Sequence, residues 1–276
     1  MASSTPGDVA GLFDRVADTY DAVGVEWFGP IAAGLVAALN PQPGERALDI
    51  GCGRGAVLLR LAEAVRADGH VTGLDLAPRM VDAARRSAAD RGLGQIEVVV
   101  ADAMAPGLQA AGFDVVASSL VLFFLPDPAA AVAAWKSLLR PGGRLGVATF
   151  GPNDPVSDQV DAVFAPYLPP GMADARTTGR SGPFGSDAGM EALVRGAALT
   201  AVRTVAGTVG AVFRDPDQWH EFTWSHGQRA MWEAVPAGER ATVRRAAYAI
   251  LEPHRRDDGS IVLRQQLRYT LGRRPA

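Results

Sequence analysis

Residues 47–55 read ALDIGCGRG. An apolar run closes on Asp49 and Ile50, and glycines follow at 51, 53 and 55. Glycines between a strand and a helix let the backbone turn tightly and come close to a ligand. The helix start behind them adds free N–H groups and a partial positive charge. Gly51, Gly53 and Ala56 also satisfy the G-x-G-x-x-G/A dinucleotide fingerprint, so a nicotinamide or flavin nucleotide is one reading of the loop.

Three features pull away from that reading. Asp49 stands two residues before Gly51, where a carboxylate repels pyrophosphate and suits an ammonium. Gly55 makes the loop G-x-G-x-G, tighter than a dinucleotide needs. Acids recur at later strand ends: Asp75 follows VTGL, placed for ribose hydroxyls, and Asp102 follows VVVA, placed for an adenine amino group. A nucleoside with an amino group and no phosphate describes S-adenosylmethionine.

Outward from the loop the pattern alternates. Strands are predicted at 46–50, 71–74, 96–101, 113–118 and 145–150. Helices are predicted at 56–67, from Pro78 toward Gly92, and over AAAVAAWKSLL, the last opened by Asp127 and Pro128 and stopped at Pro141–Gly143. Strands alternating with helices predict an α/β fold, a mostly parallel sheet covered on both faces. Before it, FDRVADTYDAV and FGPIAAGLVAALN are spaced as helices. After it, residues 151–190 are rich in Gly, Pro and Asp, with short helices expected near 158–164 and 189–196 and a strand at 199–213. PDQWHEFTWSHGQRAMWEAVP reads as one helix and AGERATVRRAAYAILEPH as another, and IVLRQQLRYTL alternates as a strand. The expected division is an N-terminal helical lid (1–40), a cofactor-binding core (41–150), and a substrate cap that also completes the sheet (151–276).

In order, ALDIGCGRG, VTGLDLAPRMVDAARR, VVVADAM, FDVVASSLVLFFLPDPAAAV and LLRPGGRLGVATF resemble the successive motifs of the class I S-adenosylmethionine-dependent methyltransferases. FDRVADTYDAV resembles the N-terminal segment of the ubiquinone/menaquinone-biosynthesis subgroup and related natural-product enzymes. The resemblance implies a Rossmann-like seven-stranded sheet whose last strand, here 261–271, is antiparallel. It implies that Gly51, Cys52 and Gly53 underlie the methionine moiety, with Asp49 near its ammonium and Ser118 close by. Asp75 would hold the ribose, Leu76 and Met80 the adenine, and Asp102 with Ala103 the adenine edge. Tyr20 resembles a residue that closes over the methionine end. Core packing is an equal alternative for Tyr20 and Met80. S-adenosyl-L-homocysteine would be the product.

Methyl transfer from a sulfonium needs alignment and dryness, and a base only where the acceptor is a hydroxyl. Phe123 and Phe124 stand where many relatives carry a histidine, which leaves a greasy wall. His220 and His226 are the remaining candidate bases. Trp219, Trp224 and Trp232 are candidates for an aromatic lid over the acceptor, with packing of the cap as the alternative. The expected acceptor is a small apolar or aromatic metabolite, with oxygen favoured and nitrogen or carbon open. A methyltransferase-fold protein that keeps the cofactor but acts as a cyclase or binding protein is the second reading, and a dinucleotide oxidoreductase the third.

Composition narrows the field. Apolar residues make up 48% of the 276 residues and charged residues 21%, enough for a large core. The net charge of -3 and the absence of an Asn-Pro-Pro-Tyr-like run argue against nucleic acid. No metal-ligand spacing is present, so no metal is expected. The single cysteine, the lack of a signal-like start and the short apolar runs lead to the expectation of a cytoplasmic monomer or homodimer without stable membrane insertion.

Overall fold

The computed structural model describes residues 6–168 and 181–276, so the start of the expected lid and the middle of the Gly/Pro-rich 151–190 stretch lie outside the described residues. Helices α1 (Pro6–Val16) and α2 (Phe28–Leu39) precede the sheet. There follow β1 (Arg46–Ile50), α3 (Ala56–Val65), β2 (His70–Asp75), α4 (Pro78–Asp90), β3 (Ile96–Val100), β4 (Phe113–Ser119), α5 (Pro128–Leu138) and β5 (Leu139–Asn153). The last third adds α6 (Pro155–Ala162), α7 (Asp187–Gly196), β6 (Thr200–Phe213), α8 (Pro216–Trp224), α9 (Arg229–Ala234), α10 (Arg240–Leu251) and β7 (Ile261–Arg273).

The seven strands form one sheet in the order β3-β2-β1-β4-β5-β7-β6. β1 to β5 pair in parallel, and β7 runs antiparallel to both β5 and β6. Successive strands are added outward in one direction from β1 to β3 and in the other from β4, and this switch between β1 and β4 leaves a crevice above the carboxyl ends of the strands, the usual ligand position in such sheets. The strands beneath it are nearly free of water: Leu48, Ile50, Val71, Leu74, Val115 and Val116 are fully buried. On α5 the fully buried Trp135 donates its indole N–H to Ala103 O at 2.8 Å and so fixes the loop after β3. Tyr269 of β7 lies where a Cβ on Gly34 of α2 or on Gly207 of β6 would strike its ring, so both glycines make room for one aromatic.

Three elements differ from the sequence expectation. The helix expected over FDRVADTYDAV ends at Val16, and the chain turns to a left-handed Asp21 (φ 54°). The expected stop at Pro141–Gly143 lies inside β5: the pairing with β4 slips between Phe113 and Val115, and Gly142 takes φ 74°. A bulge absorbs these residues without ending the strand. The single helix expected from Pro216 to Pro236 is two. Ser225 ends α8, its hydroxyl donating to Phe222 O at 2.7 Å, and Gly227 passes close to Phe13 and Phe124. The alternation in β7 holds to Gln266; beyond it both faces are buried.

Candidate active site

The loop after β1 hangs from β2. The N–H groups of Gly51 and Cys52 both donate to Leu74 O, at 2.8 and 2.9 Å, and Gly53 N–H donates to an Asp75 carboxylate oxygen at 2.8 Å. Gly51 has φ 70°, and a Cβ there would sit 2.3 Å from Val121 Cγ2, so glycine is required on both counts. A Cβ on Gly53 would meet nothing within 4 Å, because that side opens on the cleft. Gly55, at φ 102°, is the N-cap of α3.

The cleft encloses about 870 Å³, part of it open to solvent. Of the residues expected to bind the cofactor, Tyr20, Gly51, Gly53, Asp75, Leu76, Met80, Asp102 and Ala103 line it. Asp75 accepts from Gly53 and, through its other oxygen, from Ala77 N–H at 2.9 Å, and keeps lone pairs for a ligand. Burial pushes its carboxyl up, against the pull of the Ala77 and Gly53 amides. Asp102 accepts from Met104 N–H at 2.8 Å. Among the described residues, the charged side chains lining the cleft are these two carboxylates.

Asp49, Cys52 and Ser118 lie beneath the cleft rather than in its wall. Asp49 is 1% exposed, and its Oδ1 has no hydrogen-bond partner among the described residues. Burial pushes its carboxyl up to about 8; the Leu58 amide in the first turn of α3 opposes this, and Asp75 reinforces it. The Cys52 thiol is buried and held far above its ordinary range by burial, then by Asp49 and Asp75, which makes it inert as a nucleophile. Ser118 donates to Ile50 O on the neighbouring strand at 3.0 Å, and Ser119, one residue on, lines the cleft. Strand alternation sends one serine to each side.

The acceptor side divides in the same way. Phe124 lines the cleft, whereas Phe123 lies behind it, stacked on Phe150. Trp219, Trp224 and Trp232 pack against one another inside the α8–α9 layer. Trp224 is stacked on Trp232 and covered by Arg229 and Arg240. None of these tryptophans lines the cleft. His220 belongs to that packing: its Nε2 accepts the Trp224 indole N–H at 2.9 Å, and burial, then Arg244, lowers its basicity. His226 is buried between Phe222 and Phe28, and Phe28 stacks on Tyr20 at 4.4 Å, one ring removed from the cleft.

The sequence led to the expectation of a lid from the N-terminal helices but, of its residues, singled out Tyr20 alone. Val9, Ala10 and Phe13 close one side of the cleft, and Arg54 holds the turn after them. From within the glycine loop, Arg54 Nη1 donates to the carbonyls of Ala17, Asp18 and Tyr20 at 3.2, 3.1 and 2.8 Å. Arg79, at the start of α4, pairs with Asp18, and its backbone N–H donates to the Asp14 carboxylate at 3.0 Å. The polarity of GCGRG was the available signal: an arginine inside a ligand loop must have an acceptor. Arg54→Ala is expected to raise amide exchange at Thr19 and Tyr20 by at least about tenfold and to weaken cofactor binding by about tenfold. Unchanged exchange would remove Arg54 as the tether.

Sheet order, glycine loop and carboxylates after β2 and β3 together define a class I methyltransferase fold. A methyltransferase-domain family matches residues 47–143. The chain is similar to the nocamycin O-methyltransferase of Saccharothrix syringae, 37% identical over 96% of this chain and 98% of that one. It is also similar to the aklanonic acid methyltransferase of Streptomyces sp. (strain C5), 44% identical over 61% of this chain and 73% of that one. The crystal structure of the 4+2 cyclase SpnF shares the fold at a TM-score of 0.62 and 20% identity, across 99% of this chain and 98% of that one. The protein belongs to the class I methyltransferase family. Among the described residues no group of His, Cys, Asp and Glu is arranged to hold a metal ion, and no helix is long and apolar enough to cross a membrane.

Proposed function

We propose that the protein transfers a methyl group from S-adenosylmethionine to an oxygen of a small apolar or aromatic metabolite, releasing S-adenosylhomocysteine. The observation that carries the cofactor is the charge of the cleft. Among the described residues, both charged side chains in its wall are carboxylates, which suits a cationic nucleoside and opposes pyrophosphate. Asp75 would take the ribose hydroxyls, and Asp102 with the loop at Ala103 the adenine edge. The open face of Gly53 would lie against the methionine chain, with Asp49 supplying negative potential from below. When bound, the cofactor supplies a sulfonium methyl group for in-line displacement, the O–C bond forming as the C–S bond breaks.

The chain's own residues align the acceptor and exclude water. Phe13, Val121, Phe124, Leu125 and Pro126 give the cleft an apolar part to its wall. We assign residues 1–40 as the lid, 41–150 as the cofactor core, and 151–276 as the cap that also supplies β6 and β7. The O-methyltransferase name of the nocamycin relative, matched over nearly the whole chain, supports oxygen as the acceptor atom.

Neither candidate base lines the cleft: the His220 lone pair is committed to Trp224, and His226 lies behind Phe28 and Tyr20, so His226 serves as the base only if acceptor binding brings it into the cleft. With a hydroxyl acceptor, His226→Ala is expected to lower kcat by about 10²-fold and leave S-adenosylhomocysteine affinity unchanged. A loss of less than about tenfold would assign the rate to alignment. The reaction is tested by supplying deuteromethyl-labelled cofactor with extracted metabolites and following label and S-adenosylhomocysteine together by mass spectrometry. Labelled product with equal S-adenosylhomocysteine supports transfer. Product formed without cofactor consumption would support cyclase chemistry instead.

A further inference from the structure

The sheet ends on β6, a strand of 14 residues with no neighbouring strand on its outer side among the described residues. In an antiparallel ladder alternate residues direct their N–H and C=O to one neighbour, and the residues between them to the other. At its first half the outer edge is plugged by α7: Thr204 N–H donates to Glu191 at 2.9 Å, and Arg195 donates to Val202 O at 3.4 Å. Val202 lies within the register shift between Thr200 and Arg203, so the Thr204 bond, in the regular ladder, fixes the phase. Because Thr204 N–H faces outward, the even-numbered residues that follow, Ala206, Thr208, Gly210 and Val212, direct their backbone groups outward too. All four are exposed, and Val212 is 53% so. Between Thr204 and Phe213 there is no charged side chain and no proline, the devices that normally protect an edge. By contrast, the other edge, β3, is 5 residues long and carries Glu97.

We propose that this open half of β6 pairs with the same segment of a second copy of the chain, antiparallel about a two-fold axis at Val209, so that the two sheets run on as one. An antiparallel strand pair is self-complementary under a two-fold rotation, which makes an identical chain the fitting occupant. In this register Thr208 lies opposite the partner's Gly210, and Ala206 opposite the partner's Val212. Both are hydrogen-bonding positions with small or β-branched side chains. Beyond the paired stretch the same register sets Arg203 opposite the partner's Asp215 at both ends, a cation facing an acid that also caps α8 and pairs with its own Arg214. Sliding the axis to Thr208 instead sets Arg203 against the partner's Phe213 and Arg214 against the partner's Val202, and the charge match is lost.

The test is sedimentation of the full chain across the micromolar range, with hydrogen exchange on the same samples. Wild type is expected to dimerise, and amide exchange at Ala206, Thr208, Gly210 and Val212 to slow as concentration rises. Thr208→Pro removes an outward N–H that β7 does not use. It is expected to raise the dimer dissociation constant by at least about tenfold while the far-ultraviolet circular dichroism stays unchanged. Val212→Lys, which cannot perturb the ladder through the backbone, is expected to act in the same direction, and Arg203→Asp to weaken association in low salt most of all. A wild type that stays monomeric throughout, or a dimer that none of the three substitutions weakens, would overturn the proposal.

Discussion

Replacing Asp75 by alanine is expected to weaken S-adenosylhomocysteine binding by about 10²-fold. The carboxylate has two tasks. It ties the glycine loop to the start of α4, accepting from Gly53 at 2.8 Å and from Ala77 at 2.9 Å. Its remaining lone pairs face the cleft, where two vicinal hydroxyls would be received. Hydrogen bonds to a charged group are worth about 1.5–3 kcal/mol each, so losing the ribose contacts alone removes about 3 kcal/mol, or roughly two decades in affinity. Asp75→Asn keeps one acceptor oxygen and the shape, and is expected to lose about tenfold. Titration calorimetry with S-adenosylhomocysteine, which does not turn over, reads both. An alanine variant that binds within about threefold of wild type would place the nucleoside elsewhere.

Asp49→Asn is expected to change how stability depends on pH. The ordinary carboxyl value is 3.8, and burial in the fold pushes that of Asp49 up to about 8. The folded protein therefore holds a proton that the unfolded chain gives up. The contribution to stability is complete below about 3.8 and is lost progressively as pH rises to about 8. Each pH unit within that window costs about 1.4 kcal/mol, and the whole window on the order of 5 kcal/mol. The asparagine variant carries no such loss. Denaturant melts at mildly acidic and mildly alkaline pH should show the variant gaining on wild type as pH rises, and parallel curves would show that Asp49 is already ionised. The ligand ammonium acts oppositely on wild type. It favours the carboxylate, so cofactor binding near neutral pH should release a proton from wild type that the variant does not release, seen by calorimetry in buffers of different ionisation enthalpy.

Arg54 links these expectations to the lid. The same five-residue loop carries the glycines that would lie against the cofactor and the guanidinium that holds the Ala17–Tyr20 turn. Ordering the loop around a ligand therefore also orders the segment that brings Phe13 and Tyr20 to the cleft. Phe28, stacked on Tyr20, carries the contact on to His226. Cofactor side and acceptor side are joined through backbone carbonyls and rings.

Much of the fold was legible because its determinants are local. Period-two and period-3.6 spacing marks strands and helices. Glycine at 51, 53 and 55 marks a turn that only glycine tolerates at positive φ. Asp127 marks a helix start by accepting from a first-turn amide. These signals, with acids at the ends of successive strands, were sufficient to read the sheet, the family resemblance and most of the cleft floor. Where they failed, a neighbour distant in sequence overrode the local pattern. The helix through Ser225 breaks beside Phe13 and Phe124, which a linear pattern does not see. The tryptophans of α8 and α9 are fit for either a ligand or a core, and packing of Trp219 and Trp224 on Trp232, with Arg229 and Arg240 over Trp224, turned them away from the cleft.

By itself, then, the sequence determined the α/β alternation, the glycine loop and the carboxylates that give the cleft its sign, since each depends on residues a few positions apart. Only the tertiary structure decided which side chains reach the cleft and which lie under it. Asp49 and Ser118, expected near the methionine end, are enclosed below the loop, and Ser119, Phe13 and Arg54 take up positions that no spacing announced. Direction across a sheet, burial and the free edge of β6 depend on which strand lies alongside, and that is set by packing between segments far apart in the chain.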